Sequence, residues 1–196
     1  MTVKCLPLGA YQTNCYFAWG DNSDACIVID PGYAPDTVLQ TAKQLGKSIC
    51  AILLTHGHFD HVGGATSIAQ QTGCEVYCHE GDLSLPPLFT AGAIPYTHLY
   101  AEGDRLSLAG LELKVLHTPG HTPGSVCLLC EDTLFSGDTL FMDSCGRTDL
   151  PGGSNAAILR SLSRLAALEG DFKVLPGHGS ATTLANEKKY NPYLNR

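Results

Sequence analysis

"LLTHGHFDHVGG", residues 53–64, sets three histidines and one aspartate within six positions, His56 to His61, directly after an apolar run. A continuous apolar run bounded by turn residues reads as a buried strand, so the ligand-rich segment is the loop at its end. His56 and His58 flank Gly57, and both rings can turn toward one point. Asp60 and His61 follow at once. A divalent ion that keeps an open position takes three protein ligands. Four candidates in six residues overfill one ion, and the pair Asp60 and His61 implies a second.

Two ions need further ligands at other strand ends, and the sequence supplies them. "HTPGHTPGS" offers His117 and His121 on a Pro/Gly-rich loop, "LFSGDTLF" puts Asp138 after a short strand, and "VLPGHGS" puts His178 between glycines. Each has the same order: apolar strand, small residues, ligand. Glycine lets the backbone approach an ion closely.

The apolar pattern predicts strands over 3–8, 14–19, 25–30, 50–54, 75–78, 111–117, 125–130, 133–136 and 172–175. "CIVID" and "AILLT" are continuous rather than alternating, as in strands covered on both faces. Helices are predicted over 35–46 behind Pro35, over 63–72, over 155–168 with Asn155 as cap, and over 182–190 with Thr182 or Thr183 as cap. Sheets in the middle with helices outside make a layered α/β sandwich. Segments 84–104 and 140–154 are left as long irregular loops, which in compact domains are often functional.

The chain of 196 residues suits one domain over 1–196. Its 44% hydrophobic and 16% charged residues are an ordinary globular mix. The net charge of −7 speaks against nucleic-acid binding. The start "MTVKCLPLGA" has no long apolar segment of a secretory signal, and no run approaches the ~20 residues of a membrane span. The expectation is a soluble cytoplasmic protein with no membrane partner. Nine cysteines, an odd number, argue against a disulfide framework. Cys127 and Cys130 in "CLLC" lie three apart on a strand and point to opposite faces, so they read as buried reduced thiols rather than a redox or zinc pair. Cys5, Cys15, Cys26 and Cys50 are assigned to the core.

The H-x-H-x-D-H motif at His56, His58, Asp60 and His61, followed in order by His121, Asp138 and His178, resembles the metallo-β-lactamase superfamily. Asp30 in "VIDPG" matches that family's early aspartate, which supports the site from behind its ligands. The resemblance implies a four-layer αββα sandwich of two mixed sheets and two divalent metal ions, zinc first, with iron or manganese admitted. It implies that His56, His58 and His121 hold one ion, that Asp60, His61 and His178 hold the other, and that Asp138 bridges them. "GRTDLPGGS" and "PGHGSATTLANEKKYNPYL" resemble the glyoxalase II group, the hydroxyacylglutathione hydrolases, in its compact single-domain bacterial form. Full-length members of that group carry an added C-terminal helical domain that helps hold glutathione. The chain is expected to lack it, which puts the glutathione preference in doubt.

The implied activity is hydrolysis of an acyl thioester such as S-lactoylglutathione by a metal-activated water, with Asp60 also taking the water's proton. The partner is then a small-molecule thioester, and a homodimer stays open. Arg147 lies on the loop where the family places a basic group near the substrate, and it is a candidate substrate contact. His117 is expected to fix its own loop, and His79 and His98 are expected to be loop or surface residues. Persulfide dioxygenases share "CGRTD" (residues 145–149) and use one iron in a facial triad. Here that triad would be His56, His121 and Asp138. Lactonase and β-lactamase activities are further alternatives, and a non-catalytic metal-binding or thiol-sensing module is a third class of reading.

Overall fold

The computed structural model describes residues 1–194. Two six-stranded sheets face each other. The first contains β1 (Thr2–Leu8), β2 (Thr13–Trp19), β3 (Ala25–Ile29), β4 (Ser48–Leu53), β5 (Glu75–His79) and β6 (His98–Tyr100), in that spatial order. The second contains β7 (Arg105–Leu108), β8 (Leu111–His117), β9 (Val126–Cys130), β10 (Thr133–Gly137), β13 (Lys173–Pro176) and β14 (Thr182–Thr183), in the order β14-β13-β10-β9-β8-β7. A small hairpin, β11 (Leu140–Phe141) and β12 (Ser144–Cys145), stands apart. Both large sheets mix parallel and antiparallel pairs.

Strand alternation explains the continuous apolar runs. In β3, Ile27 and Ile29 face the second sheet, while Cys26 and Val28 face the helices α1 (Pro35–Gln44) and α3 (Ala65–Thr72). In β4, Leu53 points between the sheets and Ile52 points outward. On the far side, Leu116 and Leu134 pack against Ile158, Leu162 and Leu165 of α5 (Asn155–Ala166). Each such buried aliphatic side chain contributes about 1.5–3 kcal/mol. The result is the predicted order of helix, sheet, sheet, helix. Cys127 joins the outer layer and Cys130 the inter-sheet layer, as their spacing requires. Cys5, Cys15, Cys26, Cys50, Cys74, Cys78, Cys127 and Cys130 are free thiols. Cys5 departs from expectation: it is exposed on β1.

Other differences are local. Segment 84–104 is not irregular, for it holds α4 (Pro87–Thr90) and β6. Segment 140–154 holds β11 and β12. These elements are too short to show a period in the sequence. The α5 cap is Ser154, whose hydroxyl accepts from the Ala157 amide, and Asn155 begins the helix instead. Helix 63–72 begins at Ala65, behind a short α2 (Phe59–Val62) that carries Asp60 and His61. The last helix, α6, spans Leu184–Tyr190 and is capped by Thr183, one of the two threonines expected. No helix among the described residues is long and apolar enough to cross a membrane.

Topology gathers the ligand loops. β3, β4 and β5 run in one direction in the first sheet. β8, β10 and β13 run in one direction in the second, because β9 is antiparallel to both β8 and β10. The loops that leave these strands emerge along one edge of the sandwich. Cross-sheet bonds hold that edge together: the Val126 amide donates to Thr55 at 2.9 Å, and the Tyr16 hydroxyl donates to Pro176 at 2.7 Å.

Candidate metal centre

Asp30 follows β3. His56, His58, Asp60 and His61 follow β4, His121 follows β8, Asp138 follows β10 and His178 follows β13. The structure brings all of them together. His56, His58 and His121, each buried, offer ligand atoms within 4.8 Å of one another and could hold one metal ion. Asp60, His61 and His178 form a second set within the same limit. Asp138 lies between the two. Its Oδ2 is 3.5 Å from His121 Nε2 and 3.6 Å from His178 Nε2, and its Oδ1 is 3.5 Å from His61 Nε2.

Hydrogen bonds behind the rings choose their tautomers. His61 Nδ1 donates to Asp30 Oδ2 at 2.9 Å, His121 Nδ1 to the Arg147 carbonyl at 2.8 Å, and His178 Nδ1 to the Tyr11 carbonyl at 3.0 Å. Thr55 Oγ1 gives its proton to Asp30 Oδ2 and so accepts from His56 Nδ1. In all four Nε2 is the ring nitrogen turned toward the centre, the arrangement a metal ligand needs. His56 Nε2, His58 Nε2 and Asp138 Oδ1 are buried with no hydrogen-bond partner among the described residues. Buried polar atoms of this kind are rare and costly, and at His56 and Asp138 a cation would satisfy them. The donor set fits divalent metal ions.

The carboxylates and rings also shift one another. Burial drives His56 well below its ordinary value, and burial with the neighbouring His121 and His61 pushes His58 down to about 3. Burial would lower His61 too, but Asp138, Asp30 and Asp60 outweigh it and raise it to about 9. His178 is also raised, because its bond to Asp60 and the charge of Asp138 overcome burial. Burial would raise Asp60, yet His178, His61 and the Thr13 hydroxyl hold it below the usual carboxylate range. His56 and His58 are thus kept neutral, while His61 and His178 are held by carboxylates.

Asp30 could be grouped with His56 and His61 as a third set. Its oxygens already accept from the Thr55 amide, the Thr55 hydroxyl and His61, so it holds the ligands rather than joining them. Its φ of +52° shows the backbone bent to reach this place. Gly177 allows a close approach: a Cβ there would fall 2.2 Å from Asp138 Oδ1.

The description of the Metallo-beta-lactamase superfamily matches residues 8–178. The chain belongs to the metallo-β-lactamase superfamily. Hydroxyacylglutathione hydrolase GloC of Haemophilus influenzae is 36% identical over 210 residues, covering 100% of this chain and 99% of that protein. The crystal structure of the BLEG-1 B3 metallo-beta-lactamase is similar at TM-score 0.92 and 34% identity, over 100% of both chains. That of TTHA1623 in a di-iron-bound form is similar at TM-score 0.85 and 38% identity, over 97% of this chain and 100% of that one.

One supporting residue of this superfamily member escaped the sequence reading. Asp82, buried after β5, accepts from the Gly57 amide at 2.7 Å, the Thr122 hydroxyl at 2.8 Å and the Gly124 amide at 2.6 Å. It ties the His56–His58 loop to the His121 loop. A lone aspartate in "HEGDLS" carries no periodic or spacing signal, and only the fold shows its partners. His117 donates Nε2 to the Pro123 carbonyl at 2.8 Å and braces its loop. His79 stacks on it at 4.1 Å, and His98 lies on the exposed face of β6.

A cavity of about 640 Å³ opens over the centre, lined among others by Phe89, Phe141, Ser144, Cys145, Arg147 and Leu150. Arg147 is on this wall, but its guanidinium is engaged. Nε and Nη2 each donate to Asp149 at 2.7 Å in an exposed, two-pronged pair.

Proposed function

We propose that the protein is a dinuclear metallohydrolase of acyl thioesters, small molecules of the S-lactoylglutathione type. The observation that carries the reading is Asp138, whose carboxylate faces both three-ligand sets at once. On this reading His56, His58 and His121 hold one ion, Asp60, His61 and His178 hold the other, and Asp138 touches both. Imidazole and carboxylate donors suit zinc, and iron or manganese also fit. When bound, such ions lower the pKa of water toward ~7 and polarise a carbonyl.

The chain's own residues do the rest. The Thr13 hydroxyl donates to Asp60 Oδ2 at 3.1 Å and His178 Nε2 lies 3.2 Å from it, so the carboxylate is held ionised and oriented. It serves as the acceptor for the proton of the attacking water. Phe89, Phe141 and Leu150 shield the reacting carbonyl from bulk water. A thiolate leaves without prior protonation, so the site needs no separate acid. Full-length similarity to GloC supports the thioester class. Eight free thiols suit a reducing cytoplasm. The thiol-sensing alternative is poorly served: burial raises Cys26 and Cys78 to about 12 and Cys127 and Cys130 to about 11, and a protonated thiol is unreactive.

Metal content of the purified protein and thiol release from S-lactoylglutathione test the proposal together. Two equivalents of metal with thiol release support it. One iron, with oxygen consumed on a persulfide, would replace it by the facial-triad dioxygenase. Bound metal without turnover of any thioester would leave the non-catalytic module.

A further inference from the structure

Beside the cavity over the metal centre lies a second one of about 550 Å³. The two share Tyr11, Phe59 and Asp60, so they are limbs of one groove that meets at Asp60. Their chemistry differs. The metal-side limb carries Ser144, Arg147 and the ligand atoms. The second limb is walled by Leu8, Tyr11, Tyr33, Phe59, Leu88 and Ala91, and no Lys or Arg among the described residues lines it. Leu88 is 84% exposed, Tyr33 64% and Tyr11 63%. Large apolar side chains gathered round a concavity, rather than scattered singly, mark a binding site.

The wall is built, not accidental. Tyr11 stands edge-on to Phe59 with centroids 5.3 Å apart. The Tyr33 ring lies against Gly63, where a Cβ would fall 2.0 Å from it. Gly32, at φ +63°, leaves room for Leu8, which a Cβ there would meet at 3.0 Å.

We infer that this limb binds an apolar acyl chain, and that the preferred substrates are thioesters of medium-chain or aromatic acids rather than of lactate-sized ones. The inference rests on the hydrolase reading above. The scissile carbonyl lies at the junction, beside Asp60. The acyl chain runs under Leu88 and Tyr33, and the polar thiol carrier runs along the Arg147 side.

The test is a series of glutathione thioesters from acetyl to octanoyl, assayed with the metal-loaded protein. Each methylene fully moved from water to an apolar wall is worth about fourfold. The limb is partly open, so kcat/KM should rise at least tenfold across the series. Leu88→Asp and Tyr33→Ser, both at exposed positions, should flatten that rise. Binding of two thioethers that cannot be hydrolysed, S-octylglutathione and S-methylglutathione, is measured alongside by calorimetry. S-octylglutathione should bind at least tenfold more tightly, and Leu88→Asp should remove the difference. Tight octyl binding without turnover of any thioester would sustain the apolar site and retire the hydrolase reading. Turnover with a flat chain-length profile and equal thioether affinities would overturn the inference. So would a Leu88→Asp variant that turns a dimer into a monomer and keeps the profile, because the limb would then be an interface between copies.

Discussion

Asp138 lies between the two candidate ligand sets. Because its oxygens face His61 on one side and His121 and His178 on the other, Asp138→Ala should lose both metal equivalents, while His178→Ala should lose mainly one. Elemental analysis of the two variants checks this, and equal losses would break the assignment. These candidate ligands were legible in the sequence because metal chemistry demands particular residue types, and they stand behind small residues at strand ends. Arg147 was legible only as a position. Nothing in "GRTDL" says that Asp149 grips both prongs of its guanidinium. The pair is exposed, where ion pairs are weak and easily exchanged. A substrate carboxylate should therefore compete with Asp149. Arg147→Ala should raise KM for a glutathione thioester with kcat nearly unchanged, and Asp149→Asn should lower KM by up to about fivefold. Steady-state kinetics against a small neutral ester separate this from a loop effect, since the neutral ester should not respond to either change.

At the scale of elements, α6 and the β11–β12 hairpin are joined by one buried carboxylate. Glu187 accepts from the Thr182 hydroxyl at 2.6 Å, the Asn186 amide at 3.1 Å, the Asp143 backbone amide at 2.8 Å and the Asn191 amide at 2.8 Å. Asn191 in turn donates to the carbonyls of Phe141 and Ser144, which wall the metal-side cavity. Burial alone would raise the Glu187 pKa, but these donors outweigh it and the net direction is down. A depressed carboxylate stabilises the fold above its unfolded value of about 4.3, and that contribution is lost as pH falls through the folded value. Glu187→Gln should cost about 1–3 kcal/mol at neutral pH and should lessen the loss of stability below about pH 4. Urea unfolding from pH 7 to pH 3 reads both effects, and parallel curves for wild type and variant would refute the role. The helix was visible in the sequence from its length and threonine cap. The clamp was not, because its partners on the hairpin are 44 to 50 residues away.

At the scale of the whole molecule, two sheets bring six loops to one edge, and that edge gathers buried ring nitrogens and carboxylates that a metal ion would satisfy. Metal removal should therefore lower the unfolding temperature as well as activity. Metal at one hundred times its dissociation constant stabilises by about 2.7 kcal/mol per site. Calorimetry with and without a chelator measures this, and an unchanged transition would show that the centre forms no part of the fold's stability. The sequence by itself determined the strands covered on both faces, the order of helix, sheet, sheet and helix, and the seven candidate ligands. Each of these is written in local chemistry: in the period of apolar residues, or in His and Asp set behind small residues at a strand end. Only the tertiary structure decided that Asp82 ties two ligand loops together, that Asp149 holds Arg147, that Cys5 is exposed, and that Leu8, Tyr33 and Leu88 line one limb of a groove. Apart from Arg147 and Asp149, which are two residues apart, those residues meet across sequence separations that no local pattern encodes, because burial and hydrogen bonding act on distance in space and not along the chain.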